Sequence, residues 1–247
     1  MNLKLIHIKS LGGIHPEATR WLRGSDLGHF PSLENAYLTI TDGKISDFGP
    51  MTHCPQDDLP THDCSDRHVL PAFVDSHSHL VYAGTREEEF NLRLKGASYE
   101  EIAATGGGIL NSAAKVSTSS VNQLVSQAKF RLENLIDCGT GTLEVKSGYG
   151  LDPENELKLL RAIKALNSQS RATLVPTFLA AHALPAWAKA QGMNDASYTK
   201  YMLDECLSTI QNEGLALFLD GFIERDYFQL EALQHLIDAS ANSGLPL

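Results

Sequence analysis

From residue 120 onward, helix-period segments alternate with short apolar segments, and that alternation limits the folds open to the chain. Val121, Leu124, Val125, Ala128, Leu132, Leu135 and Ile136 recur at helical spacing, and Gly139 is placed to end the helix. A strand follows at 142–146, then the turn Ser147-Gly148-Tyr149-Gly150. Asp152-Pro153 opens the next helix as N-cap and first-turn proline, with Leu157, Leu160, Ile163 and Leu166 as its apolar stripe. Residues 172–179 predict a strand ending near His182, although Pro176 counts against it. A helix over 196–213 stops at Gly214, a strand covers 215–223, and a helix covers 228–242. Gly244-Leu245-Pro246-Leu247 then opens a further strand. Strands alternating with helices of about ten residues or more form a parallel α/β sheet. Four such units with a fifth beginning make about half of an eight-stranded barrel.

The first of these strands carries the most pointed chemistry. His68-Val69-Leu70-Pro71-Ala72-Phe73-Val74 is an apolar run after a turn-rich segment and reads as a buried strand. It ends in Asp75-Ser76-His77-Ser78-His79. Residues i and i+2 of a strand share a face, so His77 and His79 point the same way with Asp75 behind them. Two imidazoles at a strand end suit zinc or iron. The bland alternative is two polar residues where a strand meets solvent.

Residues 1–67 read as a β-rich N-terminal domain, and 68–247 as the half-barrel. Residues 36–40 and 45–48 flank Asp42-Gly43, a hairpin signal. Residues 49–67 read as a connection, with His53, His62 and His68 solvated. Gly106-Gly107-Gly108 lacks the strand-before, helix-after context of a dinucleotide fingerprint.

Other polar candidates fall at or just past strand ends, where α/β barrels build their sites. Tyr149 offers a ligand hydrogen bond or caps the core. His182 is an acid-base or orienting group, or a buried, satisfied histidine. Lys146 reads as a structural ion pair in preference to a metal bridge, and Glu224 stays open. Arg86 could clamp a substrate carboxylate, or pair with Glu87 to Glu89 at the surface. The net charge of -10 argues against nucleic-acid and anionic-membrane surfaces but leaves room for a small acidic substrate. Four scattered cysteines, no signal peptide and no run of membrane-span length suit a cytoplasmic protein.

Val74-Asp75-Ser76-His77-Ser78-His79 resembles the first-strand motif of the amidohydrolase superfamily. Three further stretches resemble the imidazolonepropionase family of histidine-degrading hydrolases: 83–86 with Glu89-Phe90, 144–151, and Ala181-His182-Ala183-Leu184-Pro185. Residues 104–110 fit as well. The resemblance is close over about 70–185 and loose elsewhere. It implies a partial (β/α)8 metal-dependent hydrolase barrel with one zinc or iron ion on His77 and His79. It implies substrate contacts at Arg86, Tyr149 and His182, and hydrolysis of 4-imidazolone-5-propanoate to N-formimidoyl-L-glutamate. Ala72 and Ala181 stand where the family has glycine, and Ile223 where it has cysteine. The family's catalytic glutamate and further metal ligands would lie beyond Leu247, so the expectation is a fragment, inactive alone. The alternatives are another amidohydrolase, such as a nucleobase deaminase, and an inactive binding or dimerisation module; a homodimer is left open. Arg86 favours an acidic substrate over a neutral base.

Overall fold

The computed structural model describes residues 1–15, 21–85, 87–96, 108–225 and 227–247. They form two compact units, Met1–Ala72 and Phe73–Leu247.

The first unit holds β1 (Leu3–Gly12), β2 (Ser32–Thr41), β3 (Lys44–Pro50), β4 (Thr61–Asp63) and β5 (His68–Val69). They form one sheet in the order β3-β2-β1-β4, with β5 also on β1. Asp42 and Gly43 both have positive φ, 52° and 77°, the turn whose twist suits the β2–β3 hairpin. Ile8, Leu11, Ala36, Leu38 and Cys64 make a small core. Lys4 is buried because its ammonium is paired, 2.7 Å from Asp57 Oδ1.

The second unit runs β6 (Phe73–Ser78), α1 (Glu87–Leu94), α2 (Ile109–Thr118), α3 (Val121–Asp137), β7 (Thr140–Lys146), α4 (Pro153–Asn167), β8 (Thr173–Ala181), α5 (Ala186–Ala190), α6 (Asp195–Glu213), β9 (Phe218–Gly221) and α7 (Leu230–Ser243). The four strands pair in parallel in the order β6-β7-β8-β9. Spatial order following chain order is the pattern of a barrel wall, with no topological switch point. The unit is thus α/β with a parallel half-barrel.

Local chemistry sets the element ends. Ser120 and Gln123 close a capping box on α3, Asp152 accepts from the Asn155 amide on α4, and Asn194 with Ser197 boxes α6. Gly214 and Gly244 end α6 and α7 in the left-handed region. Leu143, Leu159, Ile163, Phe178, Met202 and Leu236 are buried in the shared core. Pro176 is tolerated inside β8 for a topological reason. Its carbonyl accepts from the Leu217 amide, one residue before β9 begins, so the missing N–H falls where no strand yet lies alongside. Among the described residues no helix is long and apolar enough to cross a membrane.

Two expectations need correction. The run from His68 is not one strand. His68 and Val69 pair with Ser10 and Leu11 of β1, while β6 starts at Phe73. Pro71, with a fixed φ and no N–H, separates them. The two compact units divide after Ala72. Nor is the run buried: Phe73 and Val74 are 62% and 69% exposed, because among the described residues β6 has a sheet neighbour on one side only.

Phe178 is fully buried and Phe130 is 72% exposed. Phe178→Ala is expected to lower the unfolding free energy by about 3–5 kcal/mol. Phe130→Ala is expected to change it by less than about 0.5 kcal/mol, both read from denaturant midpoints.

Candidate active site

The site is built where β6, β7 and β8 end. At the end of β6, Asp75 Oδ1 accepts from the His77 amide at 3.1 Å, and Ser78 Oγ donates to the Glu144 carbonyl at 2.6 Å. These contacts tie the His-x-His segment to itself and to β7. The loop that follows is held by helices. Arg131 on α3 donates to the carbonyls of Leu80 and Tyr82, and its guanidinium lies 3.7 Å over the Tyr82 ring. Lys115 on α2 donates to the Thr85 carbonyl at 3.0 Å. Arg86, the next residue, lies outside the described residues, as do Ala104 to Gly107 of the glycine-rich stretch.

Four of the candidate side chains come together. The ring of His79 lies 4.8 Å from Tyr149 and 5.1 Å from His182, on which it stacks within 6°. Tyr149 and His182 are 5.4 Å apart, and His77 is 5.9 Å from His79, edge-on. His79 and Tyr149 line a cavity of about 280 Å³ with Tyr82, Gly84, Thr85 and Ser112. Burial, then the neighbouring His182 and His77, pushes the His79 pKa down to about 4. His79 is therefore neutral near pH 7, the form in which imidazole ligates metal.

The donors present match only part of what a zinc or iron ion requires. His79 Nδ1 is buried and has no hydrogen-bond partner among the described residues, as expected of a nitrogen kept for another ligand. The paired imidazoles thus fit part of a coordination sphere. Among the described residues no group of three His, Cys, Asp or Glu side chains is placed to hold an ion. A catalytic zinc typically has three protein ligands.

Two polar clusters are built on β7 and the turn after it. Lys146 Nζ lies 2.7 Å from Glu144 Oε1 and 2.6 Å from Asp220 Oδ2, and Thr177 Oγ1 donates to Glu144 at 2.7 Å. Burial pulls the Lys146 pKa down, but Asp220 and Glu144 more than offset that, leaving it above the ordinary lysine value. Lys146 is thus an ion-pair residue joining β7, β8 and β9. The second cluster is centred on Glu156, fully buried at the start of α4. It accepts from the amides of Gly148, Gly150 and Leu151 at 2.7, 2.6 and 2.9 Å. Glu224 is exposed, and its carboxylate accepts from the Arg225 amide.

Asp220 and Glu156 were not singled out in the sequence. Asp220 had no available signal beyond lying in a strand. Glu156 did: with Leu159, Leu160 and Ile163 it falls on the buried stripe of α4, a charged residue at an apolar position.

No protein-family model matches the chain. Over 246 residues, 99% of its length, it is 41% identical to the imidazolonepropionase of Flavobacterium psychrophilum. In sequence this is an imidazolonepropionase-like chain. It spans 59% of the length of that curated relative. The imidazolonepropionase likeness runs through both units and includes the ring cluster. Among solved structures, Escherichia coli guanine deaminase matches 98% of this chain and 50% of its own at a TM-score of 0.63 and 13% identity. Atrazine chlorohydrolase TrzN from Arthrobacter aurescens TC1, complexed with zinc, matches 98% and 51% at a TM-score of 0.57 and 14% identity. At such identities the likeness is one of fold.

The Lys146 cluster yields a stability test. Lys146→Met is expected to destabilise the chain by about 2 kcal/mol, less than for a fully buried pair because Asp220 is partly exposed. Lys200→Met, which breaks a pair exposed at both ends, should cost less than about 0.5 kcal/mol in the same denaturation series.

Proposed function

We propose that the ring cluster serves hydrolysis of the ring amide of 4-imidazolone-5-propanoate, giving N-formimidoyl-L-glutamate. One observation carries this reading. The residues that bear the imidazolonepropionase likeness, His77, His79, Tyr149 and His182, converge at the C-terminal ends of consecutive parallel strands. On this reading the fold is part of an amidohydrolase barrel preceded by a β-rich domain.

His77 and His79 would hold one zinc or iron ion, which when bound supplies the Lewis acidity that activates water and polarises a carbonyl. The depressed pKa of His79 keeps its ring neutral and ready to ligate. Tyr149 and His182 bracket His79 and orient the substrate ring against it. The walls of the cavity exclude bulk water from one side of that ring. Arg86 clamps the propanoate carboxylate through paired N–H donors. The reaction adds water across the ring C–N bond: oxygen joins the carbonyl carbon and the departing nitrogen takes a proton.

The reading is tested by metal and ligand binding on the chain itself. Zinc titrated into metal-free protein is expected to bind, and His77→Ala and His79→Ala to abolish that binding. Equal binding by the variants would remove the metal assignment. Imidazole-4-propanoate, a stable probe carrying the same side chain, is expected to bind at least about tenfold more tightly than imidazole, in line with a charge-assisted bidentate contact. Arg86→Met should erase that margin. Binding of guanine in preference to imidazole-4-propanoate would favour a nucleobase deaminase instead.

A further inference from the structure

Glu156 has a role that helix capping does not explain. The start of α4 is already capped: Asp152 accepts from the Asn155 amide at 2.9 Å through Oδ1. A first-turn carboxylate ordinarily serves the amides of its own helix. Glu156 instead turns back to the preceding segment. Its Oε2 accepts from Gly148, and its Oε1 from Gly150 and Leu151. Burying a carboxylate is costly unless its oxygens are satisfied. The three amides that satisfy Glu156 flank Tyr149.

The same turn reaches His182. The Gly148 carbonyl lies 2.7 Å from His182 Nδ1. A carbonyl can only accept, so Nδ1 is the protonated nitrogen. The Gly148 residue therefore donates its N–H to Glu156 and receives the His182 proton at its C=O. The approach leaves no slack. A Cβ on Gly148, whose φ is +104°, would stand 2.7 Å from Leu179 Cδ2 and 2.8 Å from His182 Nδ1. One on Gly150 would stand 2.4 Å from the Glu156 backbone nitrogen.

We infer that Glu156 is a positioning residue: it fixes the 147–151 turn, and through Gly148 it sets both the placement of Tyr149 and the tautomer of His182. In its neutral state His182 then carries its proton on Nδ1, toward the Gly148 carbonyl. The functional half of this inference rests on the reading of Tyr149 and His182 as substrate contacts. The structural half does not.

The test is long-range proton–nitrogen NMR of His182 in the 15N-labelled 247-residue chain, in mildly alkaline buffer where a free imidazole is neutral. The wild type is expected to show His182 protonated on Nδ1. An Nε2-protonated ring would overturn the proposal without any mutation. In Glu156→Gln an amide NH2 replaces one acceptor and faces an N–H donor. The His182 nitrogen signals are then expected to converge as the tautomers mix, and affinity for imidazole-4-propanoate to fall at least tenfold. Glu154→Gln, on the exposed side of the same turn of helix, should change neither. A folded Glu156→Gln chain with an unchanged His182 tautomer would overturn the proposal. Mixed tautomers with unchanged affinity would leave Glu156 as the organiser of the turn and overturn the substrate role of His182. Should Glu156→Gln not fold, amide exchange in the wild type decides: slow exchange at Gly148, Gly150 and Leu151 supports the carboxylate contacts, and fast exchange at all three overturns them.

Discussion

Parallel pairing of β6 through β9 is the constraint on which the candidate site depends. Each helical crossover returns the chain to the same end of the sheet, so the residues that follow successive strands arrive at one edge. His79 follows β6, the Ser147 to Gly150 turn follows β7, and His182 follows β8. Residues more than 100 positions apart in sequence are thereby brought to ring-stacking distance. Nothing local to the His-x-His motif could do this. The motif supplies the donors, and the strand order supplies their company.

The same edge concentrates polar groups that the core must tolerate. Two solutions coexist. Lys146 is held between Glu144 and Asp220, so a buried cation is neutralised by carboxylates from its own strand and from β9. Glu156 is satisfied by backbone amides instead. The difference has consequences. An ion pair between side chains joins strands but leaves loop shape free, whereas a carboxylate that gathers three amides dictates the path of the loop itself. The glycines at 148 and 150 are the counterpart of that choice, since a side chain at either place would collide with the elements Glu156 draws together.

Much of this was legible in the sequence because it rests on local signals. The helices over α3, α4, α6 and α7 followed from apolar spacing, helped by end signals such as Asp152 and Gly214. The convergence of His79, Tyr149 and His182 followed from their common place at strand ends. What was not legible depends on pairings distant in sequence. The division of the 68–78 run between two sheets is decided by the partners β1 and β7, and its exposure by the lack, among the described residues, of a second neighbour for β6. Asp220 gains its meaning only when β9 sets it against Lys146. Glu156 was readable in principle, as a charge on an apolar stripe, but its partners lie in a turn whose shape no spacing rule gives.

The rings of the site draw their order from different sources, and this bears on how the site would bind. His182 is held by a hydrogen bond to the Gly148 carbonyl and by stacking on His79. Tyr149 is held by the turn that Glu156 gathers. These groups are ordered before a ligand comes, so little conformational freedom remains for it to remove. His77 is exposed, and its anchoring is through its main chain to Asp75. An ion shared by His77 and His79 must itself immobilise the His77 ring, and that entropy is drawn from the ion's affinity. On the proposed reading the organic ligand would meet a prepared surface while the ion would complete its own, and the ring side of the site would be the more stringent filter for substrate shape.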